Sequence, residues 1–306
     1  MLYAAHFAGV LLACWLTARA LGPARWVRHS PRTAIVCWQA VGLGIGLSAI
    51  GVPLAIALQP YGGGTATALL RLAGDVPGWV GRGAAPAGAA LGPGRWALLA
   101  AGLAVAAVLL GTTASCLVRT ARVRRRHRAL LALVARDDPA APGALVLDHP
   151  GAAAYCLPGV RPRVVVSAGT LRLLDDSQLA AVLSHERAHA AERHDLVLLP
   201  FTALCRALPG VRWVRAALAA VALLVEMRAD DSARRRHADG ALVGALLRFA
   251  AGPGTVTPPG ALGATGELAA RVDRLLHPDA PSRLARAAAV GAALAVVAVP
   301  VALFLA

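Results

Sequence analysis

The chain carries little charge and few aromatic side chains. Charged residues make up 15% of the sequence and aromatic residues 4%, whereas hydrophobic residues make up 58%. The mean hydropathy is +0.62, well above the value of ordinary soluble proteins. This shortage of charge argues against a soluble domain with a fully hydrated surface, and it favours a membrane protein.

Two common kinds of site are also missing from the pattern. The five cysteines show no C-x-x-C spacing, and we interpret them as reduced residues that pack in apolar surroundings. The run Gly62-Gly63-Gly64 lacks the Lys-Ser/Thr pair of a phosphate-binding loop, so it predicts a flexible turn.

Four apolar segments are long enough to cross a bilayer, which requires about 20 apolar residues. The predicted spans are Leu2–Leu21, Ala34–Leu58, Trp96–Val118 and Leu284–Ala306. No basic segment precedes the first span, so we interpret it as an anchor and not as a cleaved signal peptide.

Acidic residues are scarce, and the basic residues are unevenly placed. The chain has 31 Lys and Arg against 16 Asp and Glu, a net charge of +15. Arginines cluster after the first span and after the third, at 25–32 and 119–128, whereas the loop 59–95 is sparsely charged. The positive-inside rule then predicts both chain ends outside and residues 129–283 in the cytoplasm. Few aromatic residues lie among these arginines, so anionic lipid headgroups are favoured over nucleic acid as their partner.

The most specific motif is His185-Glu186-Arg187-Ala188-His189, which reads H-E-x-x-H. Asp175 and Gln178 are typical of a helix start, and the next helix breaker is Pro200, so both histidines are predicted to lie in one helix. Residues four apart share a helix face, so two imidazoles can bind one zinc ion. Glu186 is then the candidate general base. A buried helix with satisfied core histidines is the alternative interpretation.

A catalytic zinc site usually has a third protein ligand. Glu226 ends the apolar stretch 216–225 and is followed one turn later by Asp230. Glu226 is therefore the candidate third ligand, and Asp230 is predicted to accept the spare N–H of His185 or His189. Asp195 is a further carboxylate predicted to support the ligands. A solvent-facing carboxylate at a helix end is the alternative interpretation of Glu226.

The sequence resembles the BlaR/MecR-type membrane metallopeptidases, and the related HtpX and Ste24-like gluzincin proteases share the arrangement. The resemblance rests on the motif at 185–189, the segments 193–195 and 226–230, and two flanking stretches at 154–167 and 271–276. It implies that His185, His189 and Glu226 bind zinc and that Glu186 is catalytic. The chain departs from the family at Asp231 and in its short C-terminus, so no sensor domain is expected after the last apolar segment.

We therefore predict a mainly α membrane protein with a cytoplasmic α+β zincin-like metallopeptidase domain. Its divisions are a membrane region at 1–128 with three spans, the peptidase domain at 129–283 and a final transmembrane helix at 284–306. Short strands are predicted at Ala144–Asp148, Ala152–Leu157 and Arg163–Ser167, and a helical hairpin over Leu196–Val225.

The expected function is zinc-dependent cleavage of protein or peptide substrates, with the lipid bilayer as a further partner. Tyr155 and His237 are candidates for contact with the substrate or the developing oxyanion. The resemblance favours regulated proteolysis and signal transduction, such as cleavage of a transcriptional repressor. Protein quality control of the HtpX type and a non-catalytic membrane transducer that retains the zinc fold are the alternatives.

Overall fold

The fold is mainly helical, with one small sheet. The structure is a computed structural model that describes residues 2–82, 91–251, 264–277 and 282–306. Within these ranges the helices are α1 (Leu2–Leu21), α2 (Arg25–His29), α3 (Pro31–Ala57), α4 (Thr65–Arg82), α5 (Pro93–Val134), α6 (Ala168–Leu173), α7 (Asp176–Ala191), α8 (His194–Ala207), α9 (Arg212–Arg234), α10 (Asp239–Ala251), α11 (Ala264–Leu276) and α12 (Arg283–Leu305). The strands are β1 (Ala135–Asp137), β2 (Ala144–Leu147), β3 (Ala154–Leu157) and β4 (Arg163–Ser167).

Helices α1, α3, α5 and α12 are long and apolar enough to cross a membrane. Each contains most of one predicted span. The difference is at α5, which continues through the arginine cluster to Val134 instead of ending near Val118. Arginine, alanine and leucine are good helix formers, and no Gly or Pro lies between Gly111 and Val134, so nothing ends the helix at the change from apolar to basic residues.

Helices α1 and α12 pack closely against α3. A Cβ atom on Gly51 of α3 would lie 2.5 Å from the Phe7 ring, and one on Gly44 would lie 2.6 Å from the Cys14 sulfur. These two glycines therefore set how near α1 can approach. Phe201 of α8 extends the same apolar cluster, so α8 packs against this helical layer.

The described part of the predicted loop 59–95 contains helical structure. A short 3₁₀ turn, Gln59–Tyr61, leads into α4. Ala68 and Leu72 of α4 are buried against Leu54 and Leu58. Their four-residue spacing gives the helix one apolar face, and this periodicity outweighs the surrounding glycines.

The sheet has the strand order β1-β2-β4-β3. Strands β2 and β4 are parallel, and the other two pairs are antiparallel. The three predicted strands are present, and β1 is an addition that pairs with β2. One face of the sheet packs on α7 through Val164 and Val166, and the opposite face, through Val165, packs on Leu131 at the end of α5. The sheet is therefore held between α7 and α5.

The stretch predicted as a helical hairpin forms helices α8 and α9. A turn between Leu208 and Val211 joins them, with the Val211 N–H donating to the Leu208 carbonyl at 3.3 Å. Val221, Leu224 and Val225 of α9 are buried in the cluster that α1, α3 and α8 also form. The last turns of α9 pack beside α7, and this return brings Glu226 to the H-E-x-x-H helix.

Candidate metal centre

Helix α7 begins with a complete capping box. The Asp175 carboxylate accepts a hydrogen bond from the Gln178 N–H at 3.0 Å, and the Asp175 N–H donates to the Gln178 side-chain oxygen at 3.3 Å. This reciprocal pair satisfies two of the free N–H groups at the helix start. Because the helix then runs unbroken to Ala191, His185 and His189 project from one face.

Three side chains converge at the candidate metal centre, which we define as His185, His189 and Glu226. The two Nε2 atoms are 3.1 Å apart, and they lie 3.3 Å (His185) and 3.4 Å (His189) from the Glu226 carboxylate oxygens. Zinc–ligand bonds of about 2.0–2.2 Å in a tetrahedron separate the ligand atoms by roughly 3.3–3.5 Å. Two imidazoles and a carboxylate at this spacing fit zinc.

Asp230 contacts the second imidazole nitrogen of His185, the one that is not directed at Glu226. Its Oδ1 lies 3.0 Å from His185 Nδ1, and the Asp230 side chain is fully buried. A carboxylate at Nδ1 holds the proton there, which leaves the Nε2 lone pair directed at the metal. Burial lowers the pKa of His185, but Asp230 and Glu226 outweigh it and raise that pKa to about 10. The centre therefore attracts positive charge.

Arg271 of α11 joins the two carboxylates. Its Nε and Nη2 donate to both oxygens of Asp230 at 2.8 and 2.7 Å, and its Nη1 lies 3.1 Å from Glu226 Oε2. Partial burial would raise the pKa of Glu226, but His185 and Arg271 hold it well below its usual range. Glu226 is therefore ionised, as a metal ligand must be.

His194 gives His189 its own support. Their Nδ1 atoms are 3.0 Å apart, and His194 is buried. The Glu192 carboxylate lies 3.6 Å from His194 Nε2 and favours a proton on that nitrogen. His194 Nδ1 is then free to accept the Nδ1 proton of His189, which leaves His189 Nε2 available for a metal. Burial lowers the pKa of His189 to about 3, so this imidazole is neutral.

The turn before His194 makes this contact. Arg193 has φ 51°, in the left-handed region that non-glycine residues adopt only uncommonly. The chain therefore reverses sharply between α7 and α8 and places His194 over the end of α7. Sequence reasoning missed the roles of His194 and Arg271. Both lie in segments that carry the family resemblance, and only the fold shows what they touch.

Glu186 occupies the position expected of a general base. It lies between the two candidate ligands His185 and His189 on α7, and the backbone N–H of Cys156 in β3 acts to lower the pKa of its carboxyl group. Burial raises the pKa of Glu186 to about 7, with the His185 charge opposing this rise. A carboxyl group with a pKa near neutrality can both accept and return a proton.

The remaining predicted site residues do not belong to the convergent group of three. The Tyr155 hydroxyl is 2.8 Å from His127 Nε2, and its ring packs on the sheet face that meets α5. His237 Nε2 is 2.7 Å from the Ser184 hydroxyl. Asp195 forms an ion pair with Arg124 of α5 at 2.9 Å. The structure thus gives each of these three residues a partner other than a ligand.

Comparison with known proteins bears on the same segment. No curated protein and no solved structure matches the chain. Residues 118–252 match the family model described as Peptidase family M48. The matched segment begins within α5 and contains the three candidate ligands, Glu186 and Asp230, so the match supports a metallopeptidase domain of the M48 type over these residues.

Proposed function

We propose that the chain is a membrane-embedded zinc endopeptidase that cleaves protein substrates at the cytoplasmic face. The observation that carries the proposal is the convergence of His185, His189 and Glu226 with Glu186 on the same helix. The match to peptidase family M48 supports the enzyme class. His194 and the Asp230–Arg271 pair orient the two imidazoles, which favours an active site over an inactive one that only retains the zinc fold.

The residues of the chain divide the chemistry between them. When bound, zinc would polarise the scissile carbonyl and lower the pKa of the attacking water. Glu186 accepts a proton from this water as its oxygen attacks the carbonyl carbon, and then donates the proton to the leaving amine as the peptide bond breaks. Asp230 and His194 keep the ligating imidazoles in the tautomer that the reaction needs.

Strand β3 is suited to hold the substrate. It lies at the edge of the sheet, paired only with β4 among the described residues. The Cys156 N–H approaches Glu186, so this edge runs beside the general base. A substrate segment in extended conformation would add to β3 through backbone hydrogen bonds, and one of its peptide bonds would then lie next to Glu186.

The membrane location rests on the long apolar helices. Their outer surfaces carry exposed aliphatic side chains, such as Leu110 at 72% exposure and Leu294 at 64%. Contiguous apolar surface of this kind is unfavourable in water and suits a bilayer. The arginine distribution favours the orientation with the peptidase domain in the cytoplasm and both ends outside.

The resemblance to BlaR/MecR-type proteins favours regulated proteolysis, with a transcriptional repressor as the substrate. The match to peptidase family M48 does not distinguish this role from quality control. Cleavage of a cytoplasmic repressor and cleavage of misfolded membrane proteins would both use the site described above.

Two substitutions test the enzyme. Glu186→Gln should retain zinc, because Glu186 is not among the convergent ligands, and should abolish peptide cleavage because the base is lost. Glu226→Ala should lose most of the zinc, because two imidazoles alone hold it weakly. Asp195→Asn and Asp231→Asn are the matched controls, since both carboxylates lie nearby with arginine partners and do not join the ligand group.

The readouts are zinc content by elemental analysis and turnover of a protein substrate in detergent. Cleavage by Glu186→Gln at the rate of the parent would show that Glu186 is not the general base. Full zinc in Glu226→Ala, together with loss in one of the controls, would show that another carboxylate is the third ligand.

A further inference from the structure

A cavity separate from the candidate metal centre lies between α5 and α8. We call it the basic cavity. It has a volume of about 470 Å³, and its polar lining consists of Thr120, Arg124, Arg193, Asp195, Thr202 and Arg206. On α5 it extends from Cys116 to Arg124. This is where the apolar part of the helix gives way to the arginine cluster, so the cavity lies at the depth expected for lipid headgroups.

The charge of the basic cavity is unbalanced. Three arginines line it against one carboxylate. Asp195 lies 2.9 Å from Arg124 and 3.5 Å from Arg193, and its side chain is 7% exposed. Within the described part of the chain, no carboxylate pairs with Arg206. The cavity therefore carries excess positive charge, and guanidinium groups suit the oxygens of a phosphate.

Apolar surface continues from the basic cavity along α5. Leu117 and Leu196, at its wall, are 45% and 44% exposed. Beyond them a second cavity of about 590 Å³, which we call the apolar cavity, lies between α3, α5 and α8. Its lining includes Leu109 and Val108 of α5 and Leu204 of α8, and its wall is overwhelmingly apolar.

The two cavities border successive stretches of α5. The apolar cavity uses residues from Ala104 to Thr113, and the basic cavity uses residues from Cys116 to Arg124. These residues recur every four positions, so the lined stripe winds gradually around the helix over about 30 Å. The stripe has a cationic end and a long apolar end, which is the polarity of a phospholipid.

We propose that the basic cavity binds the phosphate of one anionic phospholipid, whose acyl chains lie along the exposed apolar surface of α5. The proposal rests on the membrane location proposed above and not on the peptidase chemistry. Basic pockets between membrane helices are known to bind anionic headgroups. A free phosphate would leave the apolar end unused, and a zwitterionic lipid would leave the excess charge of the cavity unmatched.

The site has a structural connection to the peptidase domain. Arg124, which lines the basic cavity, holds Asp195 in the first turn of α8, directly after His194. A phosphate bound beside Arg124 and Arg193 would therefore contact the turn that places His194 against His189. The lipid headgroup would lie between α5 and α8, beside the turn that carries His194.

The test measures lipid binding to the full chain purified in detergent. The protein is titrated with phosphatidylglycerol or phosphatidylcholine of identical acyl chains, and bound lipid is counted by native mass spectrometry. The parent should bind phosphatidylglycerol about five- to tenfold more tightly, and Arg206→Gln should reduce this preference to near unity. Arg212→Gln is the matched control, an exposed arginine at the start of α9 that lines neither cavity.

Three outcomes would overturn the proposal: equal affinity of the parent for both lipids, an unchanged preference in Arg206→Gln, or full displacement of phosphatidylglycerol by equimolar inorganic phosphate, which would indicate an anion site only. Binding by Leu117→Gln tests the chain contact, and it should weaken for both lipids. Incorporation of the parent into phosphatidylcholine nanodiscs is followed separately. Failure to incorporate would refute the membrane location, whereas incorporation without lipid preference would refute this site alone.

Discussion

At the scale of single residues, the site depends on the partners of the ligands as much as on the ligands. His185 and His189 are equivalent in the motif, yet the fold treats them differently. Asp230 meets Nδ1 of His185, whereas the imidazole of His194 meets Nδ1 of His189. Asp230 and Glu226 raise the pKa of His185 to about 10, whereas burial lowers the pKa of His189 to about 3. The two ligands should therefore differ in how strongly they bind a metal.

The first prediction concerns His194. Replacing it by leucine removes the acceptor for His189 Nδ1 without emptying the buried volume, so zinc affinity should fall by about 10–100-fold. The measurement is a zinc competition titration against a chromophoric chelator. His237→Leu is the control, because His237 bonds to Ser184 and not to a ligand. Parent-like zinc affinity in His194→Leu would show that His189 is held by packing alone.

The second prediction concerns Arg271, whose side chain is 13% exposed against a fully buried Asp230. Arg271→Met leaves a buried carboxylate without its cation, so the free energy of unfolding should fall by about 3–5 kcal/mol. Thermal unfolding in detergent reports the change. The double variant Arg271→Met with Asp230→Asn should recover part of the loss, because the unpaired charge is gone.

Arg234→Met is the control for Arg271. Arg234 also makes two hydrogen bonds to a carboxylate, but its partner Asp239 is 41% exposed. Loss of such a pair should change the free energy of unfolding by no more than about 1 kcal/mol. Equal effects of the two substitutions would mean that burial does not strengthen the Arg271 contacts.

At the scale of elements, α5 is the most consequential. Its apolar part contributes to both cavities, and its basic part reaches the peptidase domain. There, His127 meets the Tyr155 hydroxyl and Arg128 donates to the Pro158 carbonyl at 2.8 Å. Both contacts are at strand β3, the proposed substrate edge. A continuous helix therefore fixes the position of this strand relative to the membrane region.

The third prediction tests this continuity. Val123→Pro should kink α5, because proline removes a helix hydrogen bond and clashes with the preceding turn. The zinc content should be retained, while substrate cleavage should fall about tenfold or more, since small displacements of a bound substrate are costly. Val123→Ala is the control, because this side chain is 64% exposed and its loss leaves the helix intact. Unaltered cleavage by Val123→Pro would show that the position of β3 does not depend on an unkinked α5.

At the scale of the whole molecule, charge asymmetry and apolar length act together. The net charge of +15 arises largely at helix ends and at the α5 extension, while the long helices between them carry few charges. The candidate metal centre lies beyond the apolar part of α5, on the side of its arginines, because α7 packs on the sheet that contacts Leu131 and α9 packs on α7. The side of the membrane on which the arginines lie therefore decides where the enzyme acts.

The fourth prediction concerns this topology. Single cysteines are introduced at Asp137 and at Gln59, both exposed, after the five native cysteines are replaced by alanine. In intact cells, a membrane-impermeant thiol reagent should label Gln59→Cys and spare Asp137→Cys until the cells are lysed. Labelling of Asp137→Cys before lysis would place the peptidase domain outside.

The sequence alone determined the features that depend on neighbouring residues. Helix periodicity and the capping pair at Asp175 and Gln178 predicted α7, and the apolar lengths predicted the long helices. The three strands followed from short apolar runs, and the pairing of Glu226 with the two histidines followed from ligand chemistry. The signals for α7, the long helices and the strands lie within a few residues of the features they predict, so they require no tertiary information.

Only the tertiary structure decided which distant residues meet. The left-handed turn at Arg193 brings His194 to His189, and the packing of α11 brings Arg271 to Asp230 and Glu226. The order of the sheet likewise arises from long-range packing. Such contacts join residues far apart in the chain, and their free energy comes from burial and charge pairing that no local pattern encodes.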